Sequence, residues 1–171
     1  EDLKILEKYE IDIPFFTQIG ASALTDKTID VPTGGIEAGV PITYVPFRNG
    51  IFLSITAAIA EKEGATAMYI GVVQEDSSGY PDCTDQFIQD ITKAINQGTK
   101  EETKIEIITP LVYLTKAQIV EEAIKLNVPL EHTWSCYKEE EVACGVCDSC
   151  RLRLNGFKIA NKIDPIPYKA L

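Results

Sequence analysis

Histidine is almost missing from this chain: His132 is the only one. With no partner at a suggestive spacing it reads as a surface or packing residue, and no Ser-His-Asp arrangement is present. Also missing are a G-x-x-x-x-G-K phosphate loop and any apolar run of about eighteen residues, which argues against a membrane-spanning helix. No basic, apolar leader opens the sequence, so no secretory targeting is expected. Basic residues are scarce: 16 Lys and Arg face 26 Asp and Glu, for a net charge of −10. Gripping a phosphate backbone calls for a basic face that releases counterions. Direct nucleic-acid binding is therefore not expected, and a small-molecule ligand is favoured. There is neither an internal repeat nor a low-complexity segment.

What is present is enough for one domain with a small appendage: 171 residues, 45% of them hydrophobic. Four of the five cysteines fall late in the chain, at Cys136, Cys144, Cys147 and Cys150. One distant thiolate followed by three at two-residue intervals suits a single metal ion, with Gly145 where a Cys-x-x-Cys turn needs a positive φ. Four thiolates around Zn²⁺ form a closed, structural site. Two disulfides, a redox Cys-x-x-Cys pair and an iron–sulfur cluster are the competing readings, the last because its ligand runs share the two-residue interval. Cysteines at ligand spacing fit a reducing compartment, and a cytoplasmic protein is expected.

The chain opens at Glu1 inside a stretch, residues 1–9, that reads as the end of a helix, so a preceding segment is expected. Ile11 to Ile19 reads as extended despite Pro14, 20–40 as a long turn-rich loop, and 43–45 as a short extended piece. A helix is expected from Asn49 or Gly50 to Glu63, stopped by Gly64. The apolar run 66–73 suits a parallel strand covered on both faces. A second helix over 85–97, a second strand over 104–109, a third helix capped by Thr115 and a last one over 149–159 complete the reading. Helix–strand–helix–strand–helix implies an α/β fold with a parallel sheet and right-handed crossovers.

Ligands of such sheets sit beyond the carboxyl ends of the strands. Two loops qualify. Arg48, before a helix N-terminus, combines a fixed cation with free backbone N–H groups, although a solvated surface arginine is an equal reading. In the second loop Asp76, Tyr80, Asp82 and Cys83 offer carboxylates, a phenol and a thiol. A carboxylate can take two N–H bonds from a ring amidine such as guanine's. Asp82 equally suits a cap, since either it or Thr84 could start the following helix, and Cys83 suits a small buried hydrophobe. Lys116 could reach a phosphate or a carboxylate, or remain solvated.

Taken together, Tyr44-Val45-Pro46-x-Arg48-Asn49-x-Ile51-Phe52-Leu53, Gly71, Asp76-Ser77-Ser78-Gly79-Tyr80-Pro81-Asp82-Cys83, Thr109-Pro110-Leu111 with Lys116, and Ser135-Cys136 with Cys144-Gly145-Val146-Cys147-Asp148-Ser149-Cys150-Arg151 closely resemble the 7-cyano-7-deazaguanine synthase family. The resemblance runs from about Ile13 to Tyr168. It implies an adenine nucleotide alpha-hydrolase-like (PP-loop, Rossmann-like) three-layer α/β sandwich over 1–132, with a four-Cys zinc module over 133–171. It implies a cytoplasmic, often homodimeric ligase that makes 7-cyano-7-deazaguanine from 7-carboxy-7-deazaguanine, ammonia and ATP with Mg²⁺, for queuosine precursor synthesis. Zinc would sit on Cys136, Cys144, Cys147 and Cys150. Arg48 and Lys116 would be catalytic, Asn49, Asp76, Tyr80 and Asp82 would hold the base, and Gly71 would face the nucleotide.

The chain departs from the family pattern in one respect. The Ser-Gly-Gly-x-Asp-Ser loop that holds the ATP phosphates is not in this sequence. It is expected in a segment ahead of Glu1, and the chain as written is not expected to hydrolyse ATP competently. Two other readings compete: another PP-loop tRNA-modifying enzyme, which would want a basic face, and a non-enzymatic zinc-stabilised binding module.

Overall fold

The structure, a computed structural model, describes residues 5–35, 39–74 and 79–169. The elements are α1 (Phe15–Ile19), α2 (Arg48–Glu63), β1 (Ala67–Tyr69), α3 (Asp85–Gly98), β2 (Glu106–Ile108), α4 (Lys116–Lys125) and α5 (Asp148–Ile159), with single 3₁₀ turns at Pro81–Cys83 and Leu130–His132. β1 and β2 pair in parallel, Met68 opposite Ile107, as the intervening α3 requires of a crossover connection.

The strands are shorter than the apolar runs that announce them. Backbone contact nevertheless continues past them, with Ile70 N–H donating to Ile108 O at 3.1 Å and Gln74 N–H to Val112 O at 2.8 Å. Cover on both faces is not what the structure shows at β1: Met68 is buried, but Tyr69 is 72% exposed. Because strand side chains alternate, the buried face is the one turned to α2 and α3. Leu53, Ala57 and Ala60 of α2 and Ile88 of α3 close over Met68, Val72, Ile105 and Ile107 there.

Local chemistry fixes the helix ends. Phe47 precedes α2 in the left-handed region, φ 55°, and its ring lies where a Cβ on Gly50 would come within 2.3 Å. A side chain at position 50 would have to displace that ring. Gly64 ends α2 at φ 69°, its N–H turned back to Ala60 O and Glu61 O. Thr115 and Gln118 form a reciprocal capping box at α4.

The C-terminal part shares its packing with the rest. Ala117 and Val120 of α4 meet Phe157 and Ala160 of α5. Gly156 lets the two helices approach, since a Cβ there would lie 2.8 Å from Lys116 Cβ. A second cluster joins Ala143, Cys144, Cys147, Cys150 and Ile166, with Val31 against it. A parallel bridge pairs Ala143 with Tyr168. Arg153 holds Asp164 in a two-pronged ion pair (2.7 and 2.9 Å), with Tyr168 Oη donating to the same carboxylate at 2.6 Å.

Three expectations are corrected. Residues 5–9 are not helical, and 1–4 lie outside the described residues. Tyr9 instead reaches the end of α2, its hydroxyl donating to Glu63 at 2.5 Å and accepting from Lys62 at 2.9 Å. The segment expected to be extended contains α1, because Pro14 already sits at helical angles (φ −65°, ψ −13°) and opens a turn. Residues 43–45 form no strand; Tyr44 N–H closes a turn onto Pro41 O.

Candidate active site

A cavity of about 520 Å³ opens beyond the carboxyl end of β1, with residues 70–73 in its wall. Arg48 and Lys116 both line it, each as the first residue of its helix, α2 and α4. Asn49, Gly71 and Tyr80 line it too, so the structure gathers five of the expected site residues around one space.

Asp82 has a different post. It is 4% exposed, and its Oδ2 accepts the backbone N–H of Asn49 at 2.9 Å. The N–H group expected to be free for an anion at the start of α2 is thus held by a protein carboxylate. Asn49 Nδ2 adds bonds to Asp82 O and Cys83 Sγ, both at 3.2 Å. Cys83 is buried apart from the other thiols, and burial, then the negative charge of Asp82, pushes its pKa up to about 11. It remains a protonated thiol at neutral pH. Asp76 lies outside the described residues.

Sequence reasoning missed the opposite wall, where Ser135, Tyr137, Asp148, Ser149 and Arg153 also line the cavity. A chain of hydroxyls crosses between the two parts: Thr43 Oγ1 to Tyr80 Oη at 2.7 Å, and Tyr80 Oη to Tyr137 Oη at 3.4 Å. Burial and the Tyr80 hydroxyl raise the pKa of Tyr137, which keeps it a neutral donor. The one available signal was that Asp148 and Ser149 stand inside the cysteine motif, between Cys147 and Cys150, where ligand spacing drew all the attention.

Behind that wall the Sγ atoms of Cys136, Cys144, Cys147 and Cys150 all lie within 4.8 Å of one another. A tetrahedral ion with metal–sulfur bonds near 2.3 Å needs sulfurs about 3.8 Å apart, and Cys144 and Cys150 stand at 4.0 Å. The N–H groups of Lys138 and Cys144 point at Cys136 Sγ and that of Cys147 at Cys144 Sγ, each at 3.4 Å. Burial raises the Cys150 and Cys147 thiols. At Cys144 burial is outweighed by the N–H groups of Cys147 and Val146, which bring it to about 7. Four such sulfurs can ionise together only around a cation, so the set can hold a metal ion.

The description "Queuosine biosynthesis protein QueC" belongs to a family whose model matches residues 1–161. This chain belongs to the QueC family. Within it, a 7-cyano-7-deazaguanine synthase of Aliarcobacter butzleri (strain RM4018) is 86% identical over 98% of this chain and 74% of its own length. The synthases of Sulfurimonas denitrificans (strain ATCC 33889 / DSM 1251), 69% identical over 98% of this chain and 75% of theirs, and of Campylobacter fetus subsp. fetus (strain 82-40), 62% identical over 99% and 76%, are similar in the same way. QueC membership accords with the expected PP-loop α/β class, and the parallel β1–β2 pair and the four-cysteine cluster agree with it.

Proposed function

We propose that this protein is a 7-cyano-7-deazaguanine synthase, joining 7-carboxy-7-deazaguanine and ammonia at the expense of ATP for queuosine precursor synthesis. The supporting observation is that Arg48 and Lys116, at the starts of two different helices, meet at one cavity whose far wall is built by the cysteine module.

The chemistry explains what such a cavity must do. A carboxylate resists attack because its leaving group would be oxide. Transfer of AMP from ATP to a carboxylate oxygen, with release of pyrophosphate, creates a mixed anhydride. Ammonia attacks its carbonyl carbon, AMP leaves, and an amide forms. A second AMP transfer from another ATP, onto the amide oxygen with release of pyrophosphate, lets the nitrogen lose its two protons as AMP departs with that oxygen, which gives the nitrile. The protein's share is positioning and stabilisation of phosphate charge. Arg48 and Lys116 take the anionic groups, Asn49 and Tyr80 contact the base, and Gly71 leaves room for the nucleotide. Mg²⁺ accompanies ATP. The residue roles rest on their place in the cavity wall.

The thiolate set fits zinc, held by Cys136, Cys144, Cys147 and Cys150. Bound there, zinc supplies a structural cross-link and no reaction step. Within this reading the α/β part, 1–132, carries the cations and the module 133–171 closes the cavity, in a cytoplasmic homodimer. Among the described residues no helix is long and apolar enough to cross a membrane.

Turnover of Arg48→Ala, in protein made from its complete reading frame, tests the assignment. A fall in kcat/KM of about a hundredfold or more is expected for removing a cation that faces developing charge. Unchanged turnover removes Arg48 from the mechanism.

A further inference from the structure

Two polar side-chain atoms among the described residues are enclosed without a hydrogen-bond partner: Asp148 Oδ1 and Ser135 Oγ. Both residues line the same cavity. Asp148 is 8% exposed, so water does not solvate its carboxylate as it would an acid on an open helix. An enclosed carboxylate oxygen with no donor is expensive, and native folds keep such a group where something else completes it. The arginines of its own helix are engaged elsewhere. Arg151 donates from Nε to Val146 O and from Nη2 to Thr33 O, both at 2.8 Å, while Arg153 holds Asp164 and Thr133. The neighbouring thiolates are acceptors and offer it nothing.

We propose that Asp148, assisted by Ser135, is the specificity-determining contact for the base, accepting hydrogen bonds from adjacent N–H groups on the edge of a planar heterocycle. The inference rests on the substrate class proposed above and assigns recognition of the base's N–H edge to the cysteine module, alongside the contacts of Asn49 and Tyr80. Asp82, the other buried acid of the expected set, already accepts the Asn49 N–H. A carboxylate matches a 2-amino-4-oxo ring edge with two parallel N–H···O bonds, which is charge-assisted and directional. An adenine-type edge, with one donor and one acceptor, cannot make the pair. Ser135 Oγ can donate to the ring's carbonyl or accept from its amine. The module thereby couples substrate choice to an intact cysteine cluster, because Asp148 lies between two of its sulfur ligands in the chain.

The test is calorimetric binding of 7-carboxy-7-deazaguanine alone, without ATP or ammonia, to protein from the complete reading frame. It is paired with binding of the analogue that lacks the 2-amino group. Wild-type protein should discriminate against the analogue by roughly a hundredfold or more, as sites built to bond a buried donor do. Asp148→Asn, with its metal content verified, should bind the base about 10- to 100-fold more weakly and lose most of that discrimination. Ser135→Ala should weaken the base by about 3- to 10-fold. Wild-type protein that takes the analogue as well as the base overturns the inference without any variant having to fold. So does a metal-loaded Asp148→Asn protein with unchanged affinity for the base and unchanged discrimination against the analogue. If the wild-type protein binds neither ligand, the substrate reading fails and this inference with it.

Discussion

At the scale of single residues, two enclosed acids hold the fold by different means, one at a helix start and one in an ion pair. Asp82 caps α2 from a distance, so Asp82→Ala should lower stability by roughly 1.5–3 kcal/mol, the worth of a buried bond to a charged acceptor. Chemical denaturation would show the loss; were base affinity to fall with stability intact, Asp82 would be a ligand contact instead. Asp164 is the clearest pH-sensitive group. Burial alone would raise its pKa, but the Arg153 guanidinium and the Tyr168 hydroxyl hold it below its ordinary 3.8. A carboxylate whose folded value lies below its unfolded one contributes stability in full above the unfolded value and loses it as pH falls toward the folded one. Acid unfolding should therefore set in below about pH 4, and Asp164→Asn should flatten that limb. The pair is enclosed, its side chains only 12% and 3% exposed. Breaking it should cost about 3–5 kcal/mol at neutral pH, measurable as a shift in the denaturation midpoint.

At the scale of elements, the crossing of α4 and α5 decides where Lys116 stands. Gly156→Ala would push a methyl into Lys116 Cβ and backbone, at 2.8 and 3.1 Å. The helices must part, at about 1–3 kcal/mol, and the lysine moves with α4. Thermal unfolding should show a lowered midpoint and kinetics a reduced kcat, with the Arg48 wall unaffected. Helices were largely legible in the sequence because their ends carry explicit chemistry: Gly64 stops α2, and Thr84 and Thr115 cap α3 and α4. Strand lengths and α1 were less legible. The apolar run 66–73 records burial, not pairing, and only three of its residues, Ala67–Tyr69, are in the strand. Pro14 was read as an interruption although proline is equally able to begin a helix.

For the whole molecule, the cysteine cluster and the cavity are one construction. Half of the wall was legible: Arg48, Asn49, Gly71, Tyr80 and Lys116 fall in the loops and helix starts that follow strand signals. The half made by Ser135, Tyr137 and Asp148 was not, because nothing local in a cysteine motif says which way the residues between the ligands face. Removing the metal should lower the thermal midpoint by roughly 10 °C or more, since metal binding to such sites is folding energy. It should abolish base binding in the same titration, and metal analysis of the untreated protein should find one zinc per chain. Retained binding after complete chelation would separate cluster from cavity. The Ala143–Tyr168 bridge has an implication for synthesis. Ala143 N–H donates to Pro167 O at 2.9 Å and Lys169 N–H to Ala143 O at 2.8 Å, so the cluster is buttressed by residues that are translated after its last cysteine. The four sulfurs can gather around an ion before that strap docks, but the finished enclosure must wait for it.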